Sequence, residues 1–199
     1  MSKPRQDPLV GHMLDNRYQI QEFVREEELG KVYNALQLPE QLPVSVKVLH
    51  PHLVEDPEAF GRFGREMLAT ATIQHPNAIQ MMDFGEHRGV FHFIVLERVW
   101  ARALADVLKT GGAMHFDRAA HIGAQIASCM TAAHQEGIVH RNLNPWNVLL
   151  LDNAVGGDYV KIRDFGLSRL HDAEGNIDGG GLTAVGARVG TANYMAPEY

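Results

Sequence analysis

Along the first half of the chain, apolar and polar residues alternate in short runs. Tyr18, Ile20 and Val24 alternate with polar neighbours and predict a first strand from Tyr18, and KVYNALQL (Lys31–Leu38) predicts a second. VSVKVL (Val44–Leu49) predicts a third, its β-branched valines favouring extended backbone, with Pro39 and Pro43 bracketing the turn before it. The period then changes. Over Ala59–Ile73, Phe60, Phe63, Met67, Thr70/Ala71 and Ile73 recur at helical spacing, with Asp56 as N-cap, Pro57 as first helical residue and His75-Pro76-Asn77 ending the run. Ile79–Phe84 and Phe91–Leu96 predict two more strands. Leu104–Lys109 predicts a short helix closed by Gly111-Gly112, and Asp117 is expected to cap a longer one with the stripe Ala120, Ile122, Ile126, Met130 and Ala133. Short strands follow at Val148–Leu151 and Tyr159–Ile162, then a glycine-rich stretch from Leu167 to Val189.

A β-rich front and a helical rear imply an α+β chain of two lobes, with a flexible lead-in over residues 1–17. At 199 residues there is material for one good-sized domain or two small lobes. The net charge of -6 gives no clustered basic face, so nucleic acid is not an expected partner. The single cysteine, Cys129, excludes an internal disulfide and a cysteine-based zinc site, and its apolar surroundings make it a core residue. The N-terminus has no apolar signal region and no apolar run is long enough to span a bilayer, so a cytoplasmic location is expected. The eleven histidines scatter over different elements without an H-E-x-x-H pattern, against a metal site built from them.

The stretch Val139–Leu150, VHRNLNPWNVLL, resembles the catalytic loop of the protein kinases, V/I-H-R-D-L-K-P-E-N-I-L-L, at nine of twelve positions. Further motifs occur in register: Lys47 in VSVK, Glu66 in the first helix, Asp164-Phe165-Gly166, and GTANYMAPE at Gly190–Glu198. That last stretch and the lead-in DPLVGHMLDNRYQI look most like the bacterial serine/threonine kinases related to the eukaryotic ones. The resemblance covers Tyr18 to the end and implies a two-lobed protein-kinase-like fold. Its β-rich N-lobe would span about 18–97 and an incomplete helical C-lobe about 98–199.

The resemblance implies roles for individual residues. Lys47 would hold the α- and β-phosphates of ATP, kept forward by Glu66. Glu97 and Val99 would offer backbone groups to adenine behind the gatekeeper-like Leu96. Val32 and Leu149 would sandwich the ring, Val24 and Gly30 would belong to the same nucleotide site, and Ser45 would take the place of the usual alanine. Asn147 and Asp164 would bind Mg²⁺, which prefers oxygen ligands and substrate phosphates. His140 and Phe165 would stack with Met81 and Thr70 in a packed column, and Arg141 would dock an activation loop carrying Thr183 and Thr191.

Three departures speak against efficient catalysis. Asn142 replaces the aspartate that accepts the substrate hydroxyl proton, and an amide takes up no proton. Asn144 replaces the lysine that neutralises the transferred phosphate; Trp146 replaces a structural glutamate and is expected only to pack. The glycine-rich loop is degraded: only Gly30 remains, and Arg25 and Glu27 stand at the first two glycines. Carboxylates of Glu26–Glu28 facing a triphosphate would cost roughly 4 kcal/mol per pair of unit charges 4 Å apart at an effective dielectric near 20, unless they point into solvent.

These features favour a catalytically impaired pseudokinase with weakened ATP and Mg²⁺ binding. Its role would be scaffolding or regulatory, through a protein substrate or a partner kinase. The alternatives are a low-activity true Ser/Thr kinase and, third, nucleotidyl transfer on a kinase fold. The chain ends at Tyr199, whereas such domains continue for roughly another hundred residues, so it is expected to be a partial or truncated domain in which Glu198 is solvent-exposed and the Ile122–Met130 stripe lacks part of its cover.

Overall fold

Alternation and β-branching build the first unit. The computed structural model describes residues 7–152, 157–165 and 194. The chain divides into two compact units, Met1–Phe63 with Met81–Arg98 and Gly64–Gln80 with Val99–Tyr199. In the first unit, β1 (Met13–Leu14), β2 (Tyr18–Glu26), β3 (Gly30–Gln37), β4 (Leu42–Leu49), β5 (Met81–His87) and β6 (Phe91–Glu97) form one sheet. Its order is β1-β2-β3-β4-β6-β5, with every pairing antiparallel. One face carries the core: Tyr18, Ile20, Tyr33, Ala35, Val44, Val46, Val48, Phe93 and Val95, capped by Leu14.

Residues 7–17, expected as a flexible lead-in, are stitched to this sheet. Gly11 donates to the Ile20 carbonyl and Ile20 to that of His12, each at 2.9 Å. Asp7 accepts from Lys31 Nζ at 2.8 Å and from the Tyr33 hydroxyl at 2.9 Å. Polar composition hid this, because the side chains that hold the segment lie in β3. Pro43 is not a turn bracket but part of β4, opposite Leu36. The pairing of β4 with β6 starts only at Val44, so the missing N–H of Pro43 costs no ladder bond there.

Helix α1 (Pro57–Thr72) starts where Asp56 and Pro57 predict. Asp56 Oδ1 accepts from the amides of Glu58 and Ala59 at 2.9 and 3.2 Å, satisfying two of the otherwise orphaned first-turn donors. The buried face is Ala59, Phe63, Glu66, Ala69 and Thr70, followed by Ile73 just past the helix. Phe60, expected on it, is exposed and packs edge-on against His92, 4.9 Å between centroids.

The second unit contains β7 (Arg102–Ala103), α2 (Leu104–Gly111), α3 (Phe116–Gln135), β8 (Val148–Asp152) and β9 (Asp158–Ile162), with the strands in the order β7-β8-β9. Its core joins Ile73, Val107, Ile122, Cys129, Ala133, Ile138, Val148, Leu150, Val160, Ile162 and Phe165. Burial pushes the Cys129 thiol up to about 11, which keeps it an inert core group. Ala120, expected on the α3 stripe, is exposed. The residue capping α3 is His115, whose Nδ1 accepts from Asp117 N, so Asp117 belongs to the first turn.

The His75-Pro76-Asn77 segment belongs with this unit, not with the sheet that follows it in sequence. Ile162 donates to the Asn77 carbonyl at 2.7 Å and Ile79 to the Ile162 carbonyl at 2.8 Å. Asn77 Nδ2 donates to the Val160 carbonyl at 2.7 Å and to Gln125 Oε1 at 3.0 Å. These bonds place 64–80 with β9, and the strand expected from Ile79 begins only at Met81. Among the described residues, no helix is long and apolar enough to cross a membrane.

Candidate active site

Strand period 2 divides β3, β4 and β6 between the core face and an opposite face. Register pairs Val32 with Lys47, Asn34 with Ser45, Lys47 with Ile94 and Ser45 with Leu96, so Val32, Ser45 and Lys47 share the face turned from the core. Glu97 ends β6 opposite Val44. Val24 lies at the register shift between Phe23 and Arg25 and is exposed. Gly30 opens β3 where no side chain fits: a Cβ there would stand 2.1 Å from the Val48 carbonyl oxygen. Val99 and Leu149 fall in the second unit, Leu149 in β8 opposite Ala103 and Lys161.

The acidic run in the β2–β3 turn splits three ways. Glu27 Oε2 lies 2.8 Å from Lys47 Nζ, and its Oε1 lies 2.6 Å from Arg25 Nη2. Glu28 takes a bidentate pair from Arg62 at 2.7 and 3.0 Å. Glu26 stays exposed, 3.6 Å from His50 Nε2. Burial raises the Glu27 carboxyl, but the charges and hydrogen bonds of Lys47 and Arg25 outweigh it and hold the group below its usual range. The three carboxylates are thus neither all inward nor all in solvent. Of these three, Glu27 is the one paired with the lysine, a partnership its sequence neighbours give no means of foreseeing.

In the second unit the catalytic-like loop is organised by asparagines. Asn144 Nδ2 donates to the Asn142 backbone carbonyl at 2.9 Å and to Asn142 Oδ1 at 3.1 Å, while Asn144 Oδ1 accepts from Trp146 N at 2.9 Å. Asn147 Nδ2 donates to the same Asn142 carbonyl at 2.9 Å. Both Asn144 and Asn147 are buried. Arg141 takes a φ of 61°, which turns the chain sharply between His140 and Asn142. His140 is buried against Phe165, 4.7 Å between centroids. Burial holds the imidazole below its ordinary value, and its Nε2 meets the Arg163 carbonyl at 3.1 Å. With Asn142 N donating to Nδ1, the neutral Nε2–H tautomer fits both contacts. Thr70, also buried, satisfies its hydroxyl on the Glu66 carbonyl at 2.8 Å. Trp146, expected only to pack, is half exposed and meets Tyr194 edge-on at 6.1 Å.

The residues fit a magnesium ion in donor type. Asn147 turns its NH₂ into the loop, which leaves Oδ1 as the oxygen it can offer. Arg163 N donates to the Asn147 carbonyl at 3.1 Å, tying the residue before Asp164 to that asparagine. Asp164 has a φ of 64° and a half-buried carboxylate 3.3 Å from Arg163 Nε. An asparagine oxygen and a carboxylate in one unit form a hard-oxygen set of the kind Mg²⁺ takes with phosphate and water. Glu66 is buried in α1 within this same unit. Gly166, the Leu167–Val189 stretch, Thr183, Thr191 and Glu198 lie outside the described residues.

Residues 18–199 match the sequence model of the family described as the protein kinase domain. The chain is 34% identical over 198 residues to serine/threonine-protein kinase pkn3 of Myxococcus xanthus, covering 100% of this chain and 36% of that protein. It is 33% identical over 195 residues to serine/threonine-protein kinase PknA of Mycobacterium tuberculosis, covering 96% of this chain and 43% of that protein. The chain therefore spans less than half the length of these relatives. Among solved structures, the PknI kinase domain of M. tuberculosis superposes with a TM-score of 0.64 at 25% identity, over 79% of this chain and 61% of that one.

Proposed function

Because the chain belongs to the protein kinase domain family, in its bacterial serine/threonine branch, we propose that it is a kinase-like domain with impaired phosphoryl transfer, a pseudokinase acting through its shape or a partner kinase. The observation that carries this reading is the Asn142–Asn144 contact. At the position of the proton-accepting carboxylate stands an amide whose oxygen already accepts from Asn144. A general base must take up the hydroxyl proton, and neither amide does so near neutral pH. Asn144 also brings no positive charge to a transferred phosphate, so the electrostatic stabilisation of that position is lost as well.

Support for residual nucleotide binding comes from what remains. Lys47 keeps its place in β4 opposite Val32, and Asn147 and Asp164 keep their oxygens. The purine-facing roles of Val24, Gly30, Val32, Ser45, Glu97, Val99 and Leu149, and the lysine-positioning role of Glu66, belong to the same proposal. Mg²⁺ held by Asn147 and Asp164 would neutralise charge on the phosphate oxygens. The chain's own residues do the rest: the Asn144 and Asn147 amides hold the Asn142 backbone, and His140 ties the loop to the Arg163 carbonyl.

A second reading, a low-activity Ser/Thr kinase, draws on the same ordered loop, since Asn142 could still orient a hydroxyl and base removal typically costs about 10²–10⁴-fold, not everything. Label transfer from γ- and α-labelled ATP to protein, measured on the full-length protein with and without Asn142→Asp, tests both. Robust γ-transfer by the unmodified protein overturns the pseudokinase reading. Transfer from the α position alone points to nucleotidyl transfer.

A further inference from the structure

Lys47 already holds an anion. The β2–β3 turn is pinned by Glu27 N donating to the Gly30 carbonyl at 2.7 Å, by His50 N donating to the Leu29 carbonyl at 2.9 Å, and by His50 Nε2 meeting the Glu27 carbonyl at 3.2 Å. From that turn the Glu27 side chain spans two cations, Oε2 on Lys47 at 2.8 Å and Oε1 on Arg25 at 2.6 and 2.8 Å. Side-chain exposure is 7% for Lys47 and 20% for Glu27, so solvent screens this pair far less than a surface one.

We propose that Glu27 is a built-in anion for Lys47, and that it turns the phosphate end of the site toward neutral nucleoside-class ligands in preference to their triphosphates. This rests on the reading that the Val32–Ser45–Lys47 face receives a purine nucleotide. A triphosphate must displace Glu27 from the ammonium it needs. The displaced carboxylate remains attached to the same pinned turn, close to the incoming phosphates, so displacement does not remove the repulsion. A neutral nucleoside asks nothing of Lys47 and leaves the pair intact. Glu28 adds little to this discrimination because Arg62 neutralises it. Glycines at this position would let backbone amides approach phosphate; here the backbone is bonded to Gly30 and a carboxylate takes the phosphate's place.

Isothermal titration of adenosine and of ATP in EDTA, on the full-length protein, Glu27→Gln and Glu27→Gly, tests the proposal. In the unmodified protein adenosine should bind at least as tightly as ATP. In both variants ATP should tighten by about tenfold or more while adenosine changes by less than about twofold, the change expected for removing one poorly screened like charge. Glu27→Gln keeps the size and polarity of the side chain, so its result stands if Glu27→Gly unfolds the turn. Adding Lys47→Met to Glu27→Gln should abolish the gain. ATP binding much tighter than adenosine in the unmodified protein, or an ATP affinity unmoved by Glu27→Gln, overturns the proposal. If neither ligand binds any of the proteins, the purine-site reading fails and this inference fails with it.

Discussion

The side-chain amide of Asn144 reaches both oxygens of Asn142, the backbone carbonyl at 2.9 Å and Oδ1 at 3.1 Å. One buried asparagine therefore fixes the backbone of the loop and occupies the side-chain acceptor at its chemical centre. An aspartate at 142 would accept the same hydrogen bond and still have a second carboxylate oxygen for a proton.

Asn142→Asp should accordingly keep the fold and raise γ-phosphate transfer by about 10²-fold, the lower end of what a general base supplies. Initial rates of label incorporation measure this. A gain below about threefold would place the limiting defect elsewhere, with Asn144 or Glu27 as the next positions to restore.

Tyr18 donates its buried hydroxyl to Asp83 Oδ2, and Arg17 Nη1 holds the same carboxylate oxygen at 2.6 Å. Tyr18→Phe should destabilise the first unit by about 1–2 kcal/mol in urea unfolding, since it leaves Asp83 short of a donor. Burial first, and then Asp83, push the phenol up to about 12 from 10.0. A group raised on folding contributes stability that is complete below its unfolded value and is lost as pH rises through the folded one. Alkaline unfolding should therefore show a loss between pH 10 and about 12 that Tyr18→Phe lacks. Matching alkaline profiles for the two proteins would refute the assignment.

Arg118 grips Asp158 with two bonds, Nε to Oδ2 at 2.7 Å and Nη2 to Oδ1 at 2.8 Å. Arg118 is the more exposed partner, so Arg118→Ala should cost about 1–3 kcal/mol, below the figure for a fully buried pair. The hydrogen bonds of Arg118 hold the Asp158 carboxyl below its usual range despite burial. The sign is opposite to that of Tyr18: this stability is present above the unfolded carboxyl value near 3.9 and is lost as pH falls through the depressed folded one. Acid titration of the unfolding free energy should show the Arg118→Ala difference shrinking below about pH 4.

Gly30→Ala should destabilise the β3–β4 pairing, because the new Cβ meets the Val48 carbonyl oxygen at 2.1 Å, and that atom is backbone, which cannot swing away as the end of a flexible side chain would. A cost of about 1–3 kcal/mol is expected in denaturant unfolding. An unchanged midpoint would contradict the close backbone approach.

What was legible in the sequence was local. Asp56-Pro57 marked the start of α1 because capping uses neighbouring residues, and Asp56 makes both cap bonds. Val44–Leu49 was legible as a strand because alternation and β-branching act within a few residues. The cap of α3 is His115, two residues before the Asp117 that the sequence points to. The anchoring of the lead-in is not legible in its polar composition, because the partners of Asp7, Lys31 and Tyr33, lie 24 and 26 residues away.

By itself the sequence determined most of the longer elements, the two-part composition and the order of the motifs, including the amides that stand where a carboxylate and an ammonium are expected. Those properties follow from residue identity and short-range spacing. Only the tertiary structure decided where the charges of Glu26, Glu27 and Glu28 go, that 64–80 belongs with β9, and that Asn144 closes on Asn142. Each of these depends on strand register, or on a turn conformation such as the positive φ of Arg141, that brings side chains to positions their spacing in sequence does not specify. Three adjacent glutamates are chemically alike as a string. The pairing of β3 with β4 is what places Lys47 within reach of one of them.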